Sequence, residues 1–145
     1  MIGLLQRVSS ASVSVGGRCV GEIGRGLMVL SCVRREDTPK DATRLAERLL
    51  GYRVFPDESG RMNRSLADIG GGLLLVPQFT LAADTRKGTR ASFTKAADPE
   101  KGREYFDLLV ESCRNLHRDV QTGEFGADMQ VSLVNDGPVT FWIES

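Results

Sequence analysis

Apolar and polar residues alternate with a period of two over most of the first third of the chain. The pattern predicts four strands, over residues 2–8, 11–15, 18–23 and 27–33. A Ser-Ser-Ala segment after Val8 predicts a turn between the first two strands. Gly24 and Gly26 predict a short hairpin between the last two, because glycine supplies the positive φ angles that such a turn needs. We therefore expect an antiparallel meander.

Two later segments repeat with the longer period of an amphipathic helix. The first follows Thr38, a suitable N-cap, has Pro39 at its first position and ends at Gly51. The second follows Asp98, again has a proline at its first position, and runs to about His117. Each segment has one apolar face, so we expect both helices to pack on the sheet.

Short apolar or alternating runs predict the remaining strands, which cover residues 52–55, 73–76, 129–134 and 139–144. The last two are joined by Asn-Asp-Gly-Pro at residues 135–138, which predicts a turn, and its proline admits a cis peptide bond. Strands and helices do not alternate strictly, so a doubly wound parallel sheet is disfavoured. We predict a single α+β domain over residues 1–145, with a mixed or antiparallel, barrel-like sheet and two α-helices packed on it.

The charges of the chain cancel, because 19 basic and 19 acidic residues are present. Such a chain lacks the broad positive field of a protein that wraps a duplex, so any contact with nucleic acid should be local. No segment approaches the roughly 20 apolar residues of a membrane span, and the N-terminus lacks the apolar run of a signal peptide. We expect a cytoplasmic protein that makes no contact with a membrane.

Three cysteines, Cys19, Cys32 and Cys113, are far apart and form no Cys-x-x-Cys pair. This spacing favours three reduced core thiols over a metal site, and we expect neither a metal nor an organic cofactor. One alternative is open. If residues 18–23 and 27–33 form a hairpin, Cys19 and Cys32 lie opposite each other, within reach of a disulfide.

The most site-like stretch covers residues 70–90. Its apolar run ends at Pro77, and the hydrogen-bonding side chains of Gln78 and Thr80 follow among apolar neighbours. Amide and hydroxyl groups are poor general bases, but they can polarise a carbonyl and position a labile ester. On the residues alone, it is equally open that both side chains satisfy backbone groups at a strand end. A basic turn follows, with Arg86, Lys87 and Arg90.

Two common types of site are disfavoured. The single histidine, His117, falls at a predicted helix C-terminus, where the helix dipole favours a cation, so we expect a structural role and no Ser-His-Asp triad. The glycines at residues 70–72 precede a strand and lack the GxxxxGK[ST] pattern, so they do not predict a phosphate loop.

Five segments carry a family resemblance, which covers essentially the whole chain: LLQRVSSASV, GEIGRGLMVL, YRVFPDESGRMNRSL, QFTLAADTRKG and FGADMQVSLVNDGPVT. In this order and spacing they resemble the D-aminoacyl-tRNA deacylases. The resemblance implies a compact cytoplasmic homodimer that binds the 3′ end of aminoacyl-tRNA. It also implies an enzyme that hydrolyses the ester between a D-amino acid and tRNA and removes mischarged glycine.

The resemblance also implies roles for particular residues. The family's SQFTL motif falls on Pro77–Leu81, which implies catalytic roles for Gln78, Phe79 and Thr80. The Gly-cis-Pro motif falls on Gly137 and Pro138, implying that this turn enters the pocket of the other subunit and selects the chirality of the substrate. The residues implied to support these groups are Arg7, Met129, Asn135, Val139 and Thr140. Those implied to hold tRNA phosphates are Arg86, Lys87 and Arg90.

The chain departs from the family pattern at two positions. Pro77 stands where the family has serine, and Ala91 stands in Arg-Ala-Ser-Phe where Arg-Pro-Ser-Phe is usual. A related animal group of deacylases has proline before the glutamine, but it has alanine at the position of Phe79. Because Phe79 is present here, we expect D-aminoacyl substrates. Thr80 is either a nucleophile or a positioning group, and attack by water is the preferred route because nothing nearby deprotonates a hydroxyl.

Two alternatives from other classes stay open. One is a noncatalytic nucleic-acid-binding module on the same fold, which the zero net charge and the end of the chain at Ser145 disfavour. The other is an editing domain of an aminoacyl-tRNA synthetase, which the lack of a second domain or linker in this sequence disfavours.

Overall fold

One long strand, β1 (Ile2–Val15), pairs with three other strands and organises the sheet. The computed structural model describes residues 1–145. The other strands are β2 (Arg18–Ile23), β3 (Gly26–Cys32), β4 (Phe55–Pro56), β5 (Met62–Arg64), β6 (Gly72–Pro77), β7 (Val120–Thr122) and β8 (Gln130–Glu144). The helices are α1 (Pro39–Gly51), α2 (Leu66–Ile69) and α3 (Pro99–Leu116), and a 3₁₀ turn covers Phe79–Ala82.

β1 is continuous, so the turn predicted after Val8 is wrong. The strand has a bulge between Val8 and Ser10, where its pairing register with β8 shifts, and it then continues in the same direction. Of the predicted meander, only the antiparallel pairing of residues 11–15 with β2 is confirmed, because β3 pairs with residues 2–8 of β1 and not with β2. A strand of 14 residues has enough edge for both partners, so Gly24 lies at a bend and not in a hairpin turn.

Cys19 and Cys32 are therefore not opposite each other, and the hypothesis of a disulfide between them is wrong. Cys19 pairs with Ser14 and Cys32 with Ile2, and all three cysteines are free. Cys19 is exposed, so only the other two cysteines are core thiols. Burial raises the pKa of Cys32 to about 11 and that of Cys113 to about 12, so both are neutral thiols at pH 7.

The two long helices begin where the sequence predicts. α1 follows Thr38, whose backbone N–H donates to the carboxylate of Asp41 (2.8 Å). α3 follows Asp98, whose carboxylate accepts from the backbone N–H of Lys101 (2.9 Å). Both helices bury their apolar faces in the same core as the inner faces of β1, β3 and β6.

β6 and β7 extend the sheet beside β3 and make it mixed. β6 runs parallel to β3, and β7 runs parallel to β6. A Cβ at Gly26 would lie 1.9 Å from the carbonyl oxygen of Gly72, so glycine is required where β3 and β6 begin to pair. The predicted fold class is confirmed as a single small α+β domain with a nearly closed, barrel-like mixed sheet. No helix has the length and apolar character needed to cross a membrane.

The short elements escape the sequence pattern. α2, which adds a third helix to the two predicted, has a single turn, and β7 has three residues, too few for a period to show. The strand predicted over residues 52–55 is wrong except at Phe55, because the chain forms a two-stranded hairpin of β4 and β5 there.

β8 is also continuous, so its predicted division into two strands around a reversing turn at residues 135–138 is wrong. Between the pairs Val8–Asn135 and Gln6–Thr140, one residue of β1 faces four residues of β8. The extra residues, 136–139, form a bulge on the edge of the sheet. The chain keeps its direction because both halves of β8 pair with the same strand.

Candidate active site

The chain leaves the sheet at Pro77 and opens a cavity beside the end of β6. β6 ends at Pro77, which has no backbone donor, and the 3₁₀ turn follows after Gln78. The cavity has a volume of about 370 Å³, within the range of roughly 300–1,000 Å³ that small-molecule sites occupy. Its lining includes Ser31, Gln78, Phe79, Phe93, Phe106 and Phe125.

The polar side chains predicted at this strand end lie together beside the cavity. The backbone N–H of Gln78 donates to the carbonyl oxygen of Ser31 (2.7 Å), which fixes the end of β6 on β3. The side-chain amide of Gln78 donates through Nε2 to Oγ1 of Thr80. The two side chains thus bond to each other, and the alternative in which both satisfy backbone groups is wrong.

Backbone donors are available at the same place. Phe79 and Thr80 are the first residues of the 3₁₀ turn, and the first N–H groups of a helical turn have no acceptor within it. These N–H groups and the amide of Gln78 are neutral donors within one short segment, of which Gln78 and Phe79 line the cavity. Such a set can stabilise the negative charge that develops on an ester oxygen during hydrolysis.

The mouth of the cavity is aromatic. The side chains of Phe79 and Phe93 are 58% and 42% exposed, and their ring centroids lie 5.1 Å apart. Exposed apolar groups that line a concave site mark a surface for a ligand with an apolar or aromatic face. The sequence indicated Phe79 but not Phe93, which lies in a segment without periodicity.

The cavity lining contains no histidine, and its one carboxylate is the N-cap of α3. His117 is the C-cap of α3, as predicted, and donates through Nε2 to the carbonyl oxygen of Gly71 (2.6 Å), away from the cavity lining. Cys32 lies beneath the 3₁₀ turn as a neutral thiol. The one lining carboxylate, Asp98, already accepts the N-cap hydrogen bond of α3. The sequence indicated Asp98 only as a cap.

The Gly137–Pro138 peptide bond is cis, and it lies in the bulge of β8. The glycine has φ +148°, and a Cβ there would lie 2.7 Å from Cγ2 of Val139, so the position requires glycine. Arg7 holds the bulge by donating through Nε to the carbonyl oxygen of Asp136 (2.9 Å). Through Nη1 it also donates to the carbonyl oxygen of Val54 (2.6 Å).

Asn135 closes the bulge from its other side. Its Oδ1 accepts from the backbone N–H of Val139 (2.8 Å), and its Nδ2 donates to Oγ1 of Thr140 (2.9 Å). Four of the five residues implied to support the site therefore surround the bulge. Met129 is the exception, because its sulfur packs at Gly123, 2.7 Å from where a Cβ would stand.

The bulge and the cavity are separate within one chain. None of residues 135–140 lines the cavity, and Gly137 and Pro138 are exposed. The structure thus assembles Gln78, Phe79 and Thr80 at one place and the Gly-Pro group at another.

The basic turn lies next to the mouth of the cavity. The loop closes through a β-bridge between Asp84 and Ser92, one residue before Phe93. Arg86 donates to the carboxylate of Asp84, and this charged contact holds the pKa of Asp84 well below its usual range. Lys87 and Arg90 form no ion pair and line one shallow cleft together with Arg86. Their two positive charges are free to meet a ligand.

The sequence matches one family along nearly its whole length. The family described as D-Tyr-tRNA(Tyr) deacylase matches residues 4–144. The chain is 66% identical over 144 residues to a D-aminoacyl-tRNA deacylase of Thioalkalivibrio sulfidiphilus, a match that covers 99% of this chain and 97% of the relative. It is 63% identical over 145 residues to a D-aminoacyl-tRNA deacylase of Alkalilimnicola ehrlichii, covering 100% of this chain and 97% of that protein.

Two solved structures resemble the fold. A c-Myc DNA Unwinding Element Binding Protein superposes with a TM-score of 0.95 at 40% identity, covering 100% of this chain and 99% of that chain. A probable eukaryotic D-amino acid tRNA deacylase superposes with a TM-score of 0.82 at 19% identity, covering 99% of this chain and 98% of that chain. At that identity the second likeness shows the fold alone.

Proposed function

Because the chain belongs to the D-Tyr-tRNA(Tyr) deacylase family, it is a deacylase, and we propose that it cleaves the ester bond between D-amino acids and tRNA. The products are the free D-amino acid and intact tRNA, and mischarged glycyl-tRNA is a second substrate. The observation that supports this chemistry best is the set of neutral donors at Gln78, Phe79 and Thr80 beside a cavity whose one carboxylate already accepts the N-cap hydrogen bond of α3. An activated ester needs polarisation more than it needs a strong base.

We propose that water attacks the ester carbonyl directly. The N–H groups of Phe79 and Thr80 and the amide of Gln78 polarise the carbonyl, and the 2′-hydroxyl of the terminal ribose assists the leaving 3′-oxygen. The cavity takes the terminal adenosine of the tRNA, since its aromatic lining suits a nucleobase. Thr80 positions the Gln78 amide through their hydrogen bond and does not attack.

Replacing Thr80 by alanine should therefore leave most of the activity. Loss of one hydrogen bond of about 1 kcal/mol should lower kcat/KM for D-Tyr-tRNA by no more than about tenfold. Thr80→Ser, which keeps the hydroxyl, is the matched control and should be close to wild type. A loss of about 10⁴-fold or more in a folded Thr80→Ala protein would show instead that the hydroxyl is the nucleophile.

Chirality is selected by backbone in this proposal. The Gly137–Pro138 group faces the α-carbon of the substrate and leaves room for hydrogen alone on one side. An L side chain would collide there, whereas a D side chain points to the open side and glycine collides with nothing. The bonds from Arg7 and Asn135 to the bulge supply the rigidity that such a steric filter needs.

The Gly137–Pro138 group acts in the cavity of a partner subunit, so the enzyme works as a homodimer. Three features support this arrangement. The bulge is braced yet exposed, it is absent from the cavity of its own chain, and it lies on a strand that pairs only with β1. β8 also exposes 57% of Val134 and 50% of Trp142, apolar side chains that suit an interface. The substrate, aminoacyl-tRNA, places the enzyme in the cytoplasm.

Lys87 and Arg90 hold phosphates of the tRNA acceptor end. The double variant Lys87→Ser/Arg90→Ser should weaken binding of D-Tyr-tRNA and reduce the slope of log KM against log salt by about 1.5, because two phosphate contacts are lost. Arg114→Ser/Arg118→Ser is the control, since neither arginine lines the candidate cavity or the cleft that contains Lys87 and Arg90. An equal slope in both double variants would contradict the phosphate role.

Noncatalytic binding of nucleic acid is not favoured as an alternative function. The name of the first structural neighbour suggests it, but the relatives at 66% and 63% identity are deacylases. Incubation with D-Tyr-tRNA, L-Tyr-tRNA and Gly-tRNA separates the two functions. We expect release of the amino acid from the first and third substrates only, and binding without release from any of them would overturn the proposed function.

A further inference from the structure

Phe125 belongs to the loop after β7 and lines the cavity, and two adjacent residues of α3 support its ring. A Cβ at Gly102 would lie 3.1 Å from Cζ of Phe125, so the ring rests on the backbone of the helix. The guanidinium carbon of Arg103 lies 4.9 Å from the centroid of the same ring. Nη2 of Arg103 also donates to the carbonyl oxygen of Phe125 (3.4 Å). Both the ring and its backbone are thus held by one turn of α3.

Phe125 and Phe106 each line two neighbouring cavities. The second is a polar cavity of about 420 Å³, whose lining includes Arg103, Asp107, Arg114 and Phe125 itself. Because Phe125 is part of the lining, the position of its ring affects the shape of the proposed adenosine site, whose lining also includes Gly102 and Phe106. A displacement of a few tenths of an ångström changes the shape of that site.

Gly102 is an unusual residue for the interior of a helix such as α3. Glycine weakens a helix relative to alanine, and the φ angle of Gly102 is not one of the positive values that favour glycine. A requirement for backbone freedom therefore does not explain it. The close approach of Phe125 does explain it, because any side chain at this position would push the ring.

Resting on the proposed function, in which the cavity holds the terminal adenosine, we propose that Gly102 and Arg103 are positioning residues that fix Phe125 and so set the affinity for that nucleoside. Neither residue touches the reacting ester. Their effect should therefore appear in KM and in the binding of adenosine, and not in kcat.

Gly102→Ala distinguishes positioning from a purely structural role. Alanine favours the helix, so Tm should not fall, whereas the displaced ring should raise KM for D-Tyr-tRNA by about threefold to tenfold with kcat within about twofold. A purely structural glycine would change Tm and leave KM as it is.

Arg103→Met provides the second variant. Loss of the cation over the ring should raise KM by about fivefold, and Arg103→Lys, which keeps the cation, should recover part of the loss. Arg114→Met is the matched control, because Arg114 lies on the same helix and lines the same polar cavity without contacting Phe125 by hydrogen bond or cation–π stacking. It should have the wild-type KM.

Adenosine binding, measured by NMR titration of the same proteins, separates this inference from the proposed function. The affinity for adenosine should fall in Gly102→Ala and Arg103→Met and not in Arg114→Met. If this is found but none of the proteins hydrolyses D-Tyr-tRNA, the inference stands and the proposed function fails. Wild-type KM and wild-type adenosine affinity in both folded variants would overturn the inference, and so would a wild-type protein that does not bind adenosine.

Discussion

Gly137→Ala should reduce the hydrolysis of D-Tyr-tRNA by about 100-fold or more while the protein stays folded. A Cβ at this position would lie 2.7 Å from Cγ2 and 2.8 Å from the backbone nitrogen of Val139, so the bulge must move. In the proposed dimer this group faces the α-carbon of the substrate, and a misplacement of about 1 Å at a reacting centre costs about two orders of magnitude in rate. The measurement is kcat/KM for deacylation, with Tm determined on the same sample.

Gly16→Ala is the matched control for this variant. Gly16 also has a positive φ, +57°, but a Cβ there meets nothing within 4 Å and the residue lies in the β1–β2 turn. The control should lose stability through backbone strain, by about 1 kcal/mol, and keep wild-type kcat/KM. Full activity of Gly137→Ala, or an equal loss in both variants, would contradict a role of the bulge in the site.

Phe79→Pro should lower kcat by about 10²-fold to 10³-fold, the cost typical of removing one donor to a developing oxyanion. Proline removes the backbone N–H at the first position of the 3₁₀ turn, where its fixed φ is tolerated. The preceding residue, Gln78, has φ −146° and ψ 82°, outside the α region that a following proline disfavours. The fold should therefore accept the change.

Phe79→Leu keeps the backbone donor and removes only the aromatic ring. It should raise KM through weaker contact with the terminal nucleoside and leave kcat within about tenfold of wild type. If the proline and leucine variants lose the same fraction of kcat, the backbone N–H of Phe79 contributes nothing and the electrostatic account of the reaction is wrong.

The sequence predicts α1 and α3 well because their signals are local. Thr38 and Asp98 cap the helices, and each is followed by a proline at the first helical position. The sequence does not reveal that β1 and β8 are continuous. Ser-Ser-Ala and Asn-Asp-Gly-Pro have the composition of turns, and whether such a segment reverses the chain or bulges from a strand depends on a pairing partner far along the sequence.

The same difference between local and long-range signals applies to the candidate site. Gln78, Thr80 and the Gly137–Pro138 group are visible from residue type and motif, and the structure gives them the surroundings of a site. The rest of the cavity carries no local signal. Phe93 and Phe125 reach it from segments without periodicity, since their placement depends on how the loops after β6 and β7 fold back over the sheet.

A mixed dimer tests most directly the claim that the site is shared between subunits. One subunit carries Gly137→Ala and keeps an intact cavity, while the other carries Phe79→Pro and keeps an intact bulge; two affinity tags isolate the heterodimer. A symmetric dimer with sites completed across the interface then contains one fully wild-type site, so deacylation of D-Tyr-tRNA should return to about half of the wild-type rate per dimer. The account is contradicted if the heterodimer is no more active than the average of the two variant homodimers. That result is expected if each cavity uses the bulge of its own chain, or if the bulge has no role in the site.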